Sequence, residues 1–371
     1  IMNKEKDLVF LGLMSGTSLD GLDMALCSFK QNAKSNGYQY KILKTETLAY
    51  SSEMKTVLRT AYSDSSKILL EKHQQYGHWL GQQTRLFLAS NELDCDYIAS
   101  HGHTIFHRPE LGYSFQLGAG QAIANETQIS VIADFRNTDI ALGGQGAPLV
   151  PIGDALLFNE YKYCINIGGI SNVSIKLNQN KGNEHEPNII AYDIGVANML
   201  LNELAGKKGL EYDHNGALAA NGKLDQALYD QLNALAYYAA PFPKSLGVEW
   251  YEANMKPLFE NNTSSIEDQL HTAVSHIAHQ MFRSIAPSLE NGDKILLSGG
   301  GAFNQFLVHC LSEKLQPLAS IDIGNKEIVA FKEALIFAFM GYLKIQAKLN
   351  CYKSVTGAIK DSSCGLIFNP L

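Results

Sequence analysis

Asp7-Leu-Val-Phe-Leu-Gly-Leu-Met14 is an apolar run, Ser15-Gly-Thr-Ser-Leu-Asp-Gly21 a tip of small and hydroxylated residues, and Leu22-Asp-Met-Ala-Leu-Cys-Ser-Phe29 a second largely apolar run. No helical period follows the tip, so the stretch predicts a β-hairpin. Glycines let backbone N–H groups converge on one anion, and hydroxyls add donors. The tip lacks the Gly-Lys-Ser/Thr ending of a Walker A loop. A phosphate held by Ser15, Gly16, Thr17, Ser18, Leu19, Asp20 and Gly21 is therefore gripped by a turn between strands. Taken alone, the stretch reads equally well as an ordinary tight hairpin.

The plan returns 152 residues on, counted from Gly16 to Gly168. Tyr163–Ile167 is a strand, Gly168-Gly-Ile-Ser-Asn172 a small-residue turn, and Val173–Leu177 a return strand. A repeat at that distance predicts two topologically similar domains. A third cluster, Gly299-Gly-Gly-Ala-Phe-Asn304, follows the apolar run Lys294–Ser298, and Asp134 ends the run Ile129–Ala133. Short strands are also expected at Tyr97–Ser100 and Ile189–Asp193. Helices are expected at 51–92 (Leu58, Ile68, Leu69, Tyr76, Leu80 and Leu86 inward), 265–289, 305–315 and 332–349. The tip Gln179–Glu186 is polar and expected to be disordered. Two phosphate hairpins and a glycine shelf for adenosine are how actin-like sugar kinases hold ATP. The expected class is α/β: two actin-like (ribonuclease H-like) lobes around an ATP cleft, mixed sheets flanked by helices. Lobe 1 is placed at 1–140, with a tail of about 352–371 packing back on it, and lobe 2 at 141–351.

Composition narrows the partners. Lysine and arginine number 30 and aspartate and glutamate 37, a net charge of −7 in 371 residues. Disorder is excluded by 46% apolar and 18% charged residues. A nucleic-acid binder built on a basic surface is not expected. The longest apolar run, Ala334–Leu343, falls short of a membrane span. With Ile1 set aside, no signal-like apolar stretch precedes the first strand, and the six cysteines show no metal or redox spacing. Together these predict a cytoplasmic protein with reduced, mostly core thiols. Helix faces such as Ile277, Met281 and Ile285 suit a core better than an interface, and the sequence leaves a homodimer open.

Several strings, in order over nearly the whole chain, resemble the anhydro-N-acetylmuramic acid kinase family. They are Gly12-Leu-Met-Ser-Gly-Thr-Ser-Leu-Asp-Gly21, His101-Gly102 with His107-Arg-Pro109, Asp134-Phe-Arg136, and Gly143-Gly-Gln-Gly-Ala-Pro-Leu-Val-Pro151. Later come Asn166-Ile-Gly-Gly-Ile-Ser-Asn172, Pro243-Lys-Ser245, Gly299–Ala302 with Asn304, Lys332-Glu-Ala334 and Thr356-Gly-Ala358. The Met-Ser-Gly-Thr-Ser-Leu-Asp-Gly string is highly specific; lone glycine clusters are not. The resemblance implies a cytoplasmic kinase of cell-wall recycling. It would turn 1,6-anhydro-N-acetylmuramic acid, ATP and water into N-acetylmuramic acid 6-phosphate and ADP, with Mg2+.

On that reading Asp134 is the general base that activates water, since a strand-end carboxylate stands on rigid backbone. Its plain structural role would be to cap or to pair with Arg136. Gly168, Gly169, Asn172, Asp193, Gly195, Gly300, Gly301 and Asn304 join the first hairpin as nucleotide contacts. His101, His103, Arg136 and Glu333 are the sugar-side candidates, although a helix-opening Glu333 also suits the helix dipole. Asp20 would hold Mg2+ through a water; otherwise it closes its turn. The chain departs from the family pattern at His103 (usually glutamine), Ala133 (glycine), Ile194, Val196 and Ala197 (in Asp-Thr-Gly-Pro-Gly-Asn), and Leu246 and Val248 (in Thr-Gly-Arg-Glu). These departures bear on nucleotide affinity and sugar identity, not on the fold. Two other readings compete: an actin-like nucleotide-binding regulator without sugar turnover, and a metallohydrolase built on His101 and His103.

Overall fold

The computed structural model describes residues 7–16, 19–32, 37–177 and 188–371. Thr17, Ser18 and the tip Gln179–Glu186 lie outside the described residues. The chain forms two compact units, Ile1–Leu157 with Phe331–Leu371, and Phe158–Ala330.

In the first unit β1 (Leu8–Ser15) and β2 (Gly21–Gln31) form the expected hairpin, and β3 (Tyr38–Ala49) continues it antiparallel. β4 (Tyr97–Arg108) lies parallel to β1, β5 (Tyr113–Leu117) turns back on β4, and β6 (Val131–Ala133) runs parallel to β4. β4 is much longer than the strand expected at Tyr97–Ser100. It continues through His101, Gly102 and His103 because β5 supplies partners as far as Arg108.

In the second unit β7 (Tyr163–Ile167), β8 (Ile170–Lys176) and β9 (Ile189–Val196) repeat the antiparallel trio. β10 (Asp293–Ser298) and β11 (Ala319–Ile323) add parallel strands on the other side of β7. β12 (Leu366–Phe368) returns to the first unit as an antiparallel edge on β6. The orders are β12-β6-β4-β1-β2-β3, with β5 beside β4, and β11-β10-β7-β8-β9. Without β5 and β12, both read third-second-first-fourth-fifth along the chain. This is the ribonuclease H-like plan of actin-like lobes, made twice.

β1 is apolar nearly throughout because helices cover the strand, as in parallel sheets. Gly12 shows how closely: a Cβ there would come 2.0 Å from the Ala334 carbonyl oxygen of the helix Lys326–Ile345. The unit boundaries differ from those expected near 140 and 351, because the helix Pro151–Leu156 packs within the first unit. Ile336 would meet a Cβ on Gly153 at 2.4 Å, and Lys332 pairs with Asp154 at 2.6 Å.

The helix Ser66–Ser90 buries Tyr76, Gly77, Leu80, Gly81, Thr84, Phe87 and Leu88. Ile68 and Leu86, expected inward, are 45% and 59% exposed. Gly77 and Gly81 allow close approach to 119–126, and this glycine seam turns the face away from both residues. In the second unit the helix Ile266–Ile285, capped by Ser265 with Glu267 and Asp268 in its first turn, buries Ile277, Met281 and Ile285. No helix among the described residues is long and apolar enough to cross a membrane.

Candidate active site

Asp134 follows β6 directly and has φ 58, a left-handed conformation that costs a non-glycine residue energy and often marks function. Its Oδ1 accepts from the Asn137 side-chain amide at 2.7 Å, and more weakly from the Asn137 backbone N–H at 3.4 Å. Its Oδ2 has no hydrogen bond among the described residues.

Arg136 turns to two partners. Nη1 donates to the Gly146 carbonyl at 2.8 Å, and Nη2 and Nε reach His101 Nε2 at 2.8 and 3.3 Å. His101 Nδ1 lies 2.9 Å from the Gly102 carbonyl, which can only accept, so Nδ1 carries the proton and Nε2 receives the guanidinium. Burial and then Arg136 drive the His101 pKa down to about 3; burial lowers Arg136 to about 10. Both ring nitrogens of His101 are spent, and no group of three or more metal-ligating residues occurs among the described residues. The metallohydrolase reading is therefore corrected: His-x-His here serves hydrogen bonds.

Glu333 is half-buried. Its pKa is raised by burial, then by the Asp23 carboxylate, against the opposing pull of Arg136 and Lys332. Asp23 is raised by burial, less its bond from Thr47 and plus repulsion from exposed Asp20. Glu333 thus stands between the Asp23 carboxylate and the Arg136 guanidinium.

Ser15 is buried and committed. Tyr50 Oη donates to Ser15 Oγ at 2.7 Å, and Ser15 Oγ lies 3.0 Å from His103 Nδ1. Tyr76 Oη meets Tyr50 Oη at 2.7 Å. The Tyr50 hydrogen points to Ser15, so Ser15 Oγ has Tyr50 and His103 as its two partners. The Ser15 hydroxyl, expected as a phosphate donor, has two hydrogen-bond partners inside the fold. At the tip, Leu19 has φ 60, and its N–H reaches the Gly16 carbonyl at 3.3 Å. Gly21 is held open by the β3 backbone, since a Cβ would meet the Leu48 oxygen at 2.5 Å.

In the second unit the carbonyls of Gly168 and Gly169 accept the N–H groups of Asn198, Ala197 and Met199 at the start of the helix Asn198–Gly206. A trans peptide points its N–H opposite to its C=O, so the N–H groups of Gly169 and Ile170 turn away from that helix. Asn198 donates to the Ile167 carbonyl at 3.0 Å. Its side chain would lie 3.0 Å from a Cβ on Gly301 and 3.9 Å from one on Gly300. The second hairpin and the glycine cluster therefore meet at Asn198, which sequence reasoning missed. Asn172 pairs with Asn166 and Asp193 in the sheet.

Three expected nucleotide contacts are engaged in the fold. Asp193 Oδ2 accepts the Leu246 N–H at 3.0 Å, and burial raises its pKa. Gly195 is covered by Tyr238, whose ring would meet a Cβ at 2.7 Å. Asn304 Oδ1 caps the helix Gln305–Leu315 through the Leu307 N–H at 3.0 Å.

The sequence profile of the anhydro-N-acetylmuramic acid kinases matches residues 8–370. The chain belongs to that family. An anhydro-N-acetylmuramic acid kinase of Aliivibrio fischeri is 34% identical over 377 residues, covering 97% of this chain and 98% of the relative. One of Synechococcus elongatus is also 34% identical, covering 96% and 98%. Among solved structures, the ADPNP-bound activator of the 2-hydroxyisocaproyl-CoA dehydratase from Clostridium difficile is 14% identical with TM-score 0.43, covering 92% of this chain and 97% of that one. The ROK hexokinase of Thermus thermophilus is 10% identical with TM-score 0.37, covering 90% and 100%.

Several departures from the family pattern fall in the core of the second unit. Ile194 and Val196 are each 2% exposed, so neither side chain is presented to a ligand. Val248 lies on the surface. His103 is held by Ser15 as described.

The sequence reading also missed Asp139, which organises the family's Gly-Gly-Gln-Gly loop. It is buried; Oδ2 accepts the Gly146 N–H at 2.8 Å, and Oδ1 accepts from Thr356 at 2.7 Å and from the Cys351 thiol at 3.2 Å. Gly146 is clamped from both sides, by Asp139 on its N–H and Arg136 on its C=O. The missing signal was distance along the chain: Thr356 is 217 positions from Asp139.

Burial sets one pH expectation. His101 and His276 both fall to about 3, burial being the main cause. Unfolded imidazoles take a proton near 6.5, so between these values the unfolded chain binds more protons. Each histidine therefore contributes stability that is full above about 6.5 and lost as pH falls toward 3. The expected slope is on the order of 1.4 kcal/mol per pH unit for each. Imidazole nitrogen shifts should keep both rings neutral at pH 5; a protonated ring at pH 5 contradicts the burial account.

Proposed function

We propose that the chain uses ATP and water to convert 1,6-anhydro-N-acetylmuramic acid into N-acetylmuramic acid 6-phosphate and ADP. The observation that carries this is Asp134: a carboxylate with one oxygen held by Asn137 and the other without a hydrogen bond among the described residues, on backbone that a non-glycine residue adopts at a cost. Asp134 takes the proton of a water as its oxygen attacks C1 of the sugar. The C1–O6 bond breaks, and O6 takes the γ-phosphoryl group as the bridging oxygen leaves with ADP. Arg136, kept charged beside a neutral His101, and Glu333 orient the sugar. In the second unit, backbone N–H groups at Gly169 and Ile170, with Gly300 and Gly301, hold the nucleotide.

Asp20, an exposed carboxylate at the hairpin tip, is a hard oxygen donor and would hold Mg2+ through a water, with phosphate oxygens completing the shell. Bound there, Mg2+ neutralises charge on the phosphates. The chain works as a soluble catalyst of cell-wall recycling.

The test is ADP release with Mg-ATP, with and without the anhydrosugar. ADP formation should depend on the sugar by at least about a hundredfold, since positioning and exclusion of water suppress idle hydrolysis. ADP formed at the same rate without sugar would overturn the proposal.

A further inference from the structure

Asn137 stands just past the Asp134-Phe-Arg136 string and outside every motif that carried the family resemblance. Resting on the reading of Asp134 as the base, we propose that Asn137 is the residue that positions its carboxylate: its side-chain amide, locked onto β5, fixes Oδ1 of Asp134 so that Oδ2 faces the water.

The lock is a two-point contact. The Ser114 N–H donates to Asn137 Oδ1 at 2.8 Å, and Asn137 Nδ2 donates to the Ser114 carbonyl at 2.9 Å. The second hydrogen of Nδ2 goes to Asp134 Oδ1 at 2.7 Å. Turning the amide over would set its oxygen against the Ser114 carbonyl and the Asp134 carboxylate, and its NH2 against the Ser114 N–H. The orientation is therefore fixed by three partners at once. Ser114 is itself firmly placed: it pairs with His107 in the β4–β5 ladder, and its hydroxyl donates to the Phe106 carbonyl at 3.1 Å and accepts from Gln116 at 2.7 Å. Asp134 thus takes its direction from a strand, through one amide, rather than from its own short loop.

This needs a residue with a donor and an acceptor on one planar group at that reach. Asp134 sits in left-handed backbone immediately past a three-residue strand, where the local backbone offers its side chain only the weak 3.4 Å contact from the Asn137 N–H among the described residues. A charge-assisted hydrogen bond to one oxygen fixes the carboxylate plane and leaves the second oxygen free as an acceptor.

The experiment compares Asn137→Ala and Asn137→Asp in the full chain by steady-state kinetics, with melting temperatures read alongside. Loss of one hydrogen bond to a charged group corresponds to about tenfold to a hundredfold in rate. Asn137→Ala should lower kcat about tenfold. Asn137→Asp keeps the size and the contact with the Ser114 N–H but opposes one carboxylate with another, and should lower kcat about a hundredfold. KM for sugar and for ATP should stay within about threefold in both.

A packing role alone gives the reverse order, with Asn137→Asp at least as active as Asn137→Ala, and that order overturns the proposal. So does a loss carried by KM in Asn137→Ala. If Asp134→Asn itself stays active, the base reading fails. If Asp134→Asn is inactive while both Asn137 variants keep the parent kcat, the positioning role alone fails.

Discussion

Asp134→Asn should lower kcat for sugar-dependent ADP release by about a thousandfold, in the middle of the range that a positioned general base supplies. The substitution keeps shape and removes the basic oxygen. Asn137 can still donate to the oxygen of the amide that replaces the carboxylate, so the local backbone should hold and the melting temperature should change little. KM for sugar and ATP should change by less than about fivefold, because the lost interaction is made in the transition state. Turnover within tenfold of the parent would show that water is activated elsewhere.

The second large effect is on stability. Lys332 and Asp154 form an ion pair at 2.6 Å with side chains 4% and 3% exposed. The pair joins the helix Pro151–Leu156 to the helix that carries Glu333. Lys332→Met fills a similar volume but leaves Asp154 buried without its cation, and removing one partner of such a pair costs about 3–5 kcal/mol. Urea unfolding of the first unit should shift accordingly. The double variant Lys332→Met with Asp154→Leu should recover most of the loss, because the cost lies in the stranded charge. A single variant within about 1 kcal/mol of the parent would mean that the pair is not what ties the two helices.

Much of the fold is legible in the sequence because it is written in short-range patterns. The hairpin at Leu8–Gln31 and its counterpart at Tyr163–Lys176 follow from apolar runs around small-residue tips, and both strand orders grow from them. Packing between elements is less legible. The outward turn of Ile68 and Leu86 depends on the seam made by Gly77 and Gly81, which periodicity counts as neutral positions. The unit boundary near 157 depends on Lys332 meeting Asp154 across 178 positions, and on Gly153 lying against Ile336.

The candidate residues show the same divide. Asp134, Arg136, His101, His103 and Glu333 stand in one unit, where Arg136 bonds His101 and its charge acts on Glu333. What holds them was not legible: Asn137, Asp139 and the Tyr76–Tyr50–Ser15 chain act through contacts set only once the sheet has formed. Gly195 and Asn304 are expected as nucleotide contacts from the family resemblance, and their neighbours lie far along the chain. Here Tyr238 covers the first, and the second caps a helix.

The central claim is that water attacks the sugar and O6 attacks phosphorus. Turnover in 18O-labelled water tests it directly, read by mass spectrometry of the phosphorylated sugar and of inorganic phosphate. The phosphoryl group of the product should carry no label, and the label should enter at C1. Label in the phosphoryl group or in free phosphate, formed at the rate of ADP release, would show water attacking phosphorus and would contradict the account.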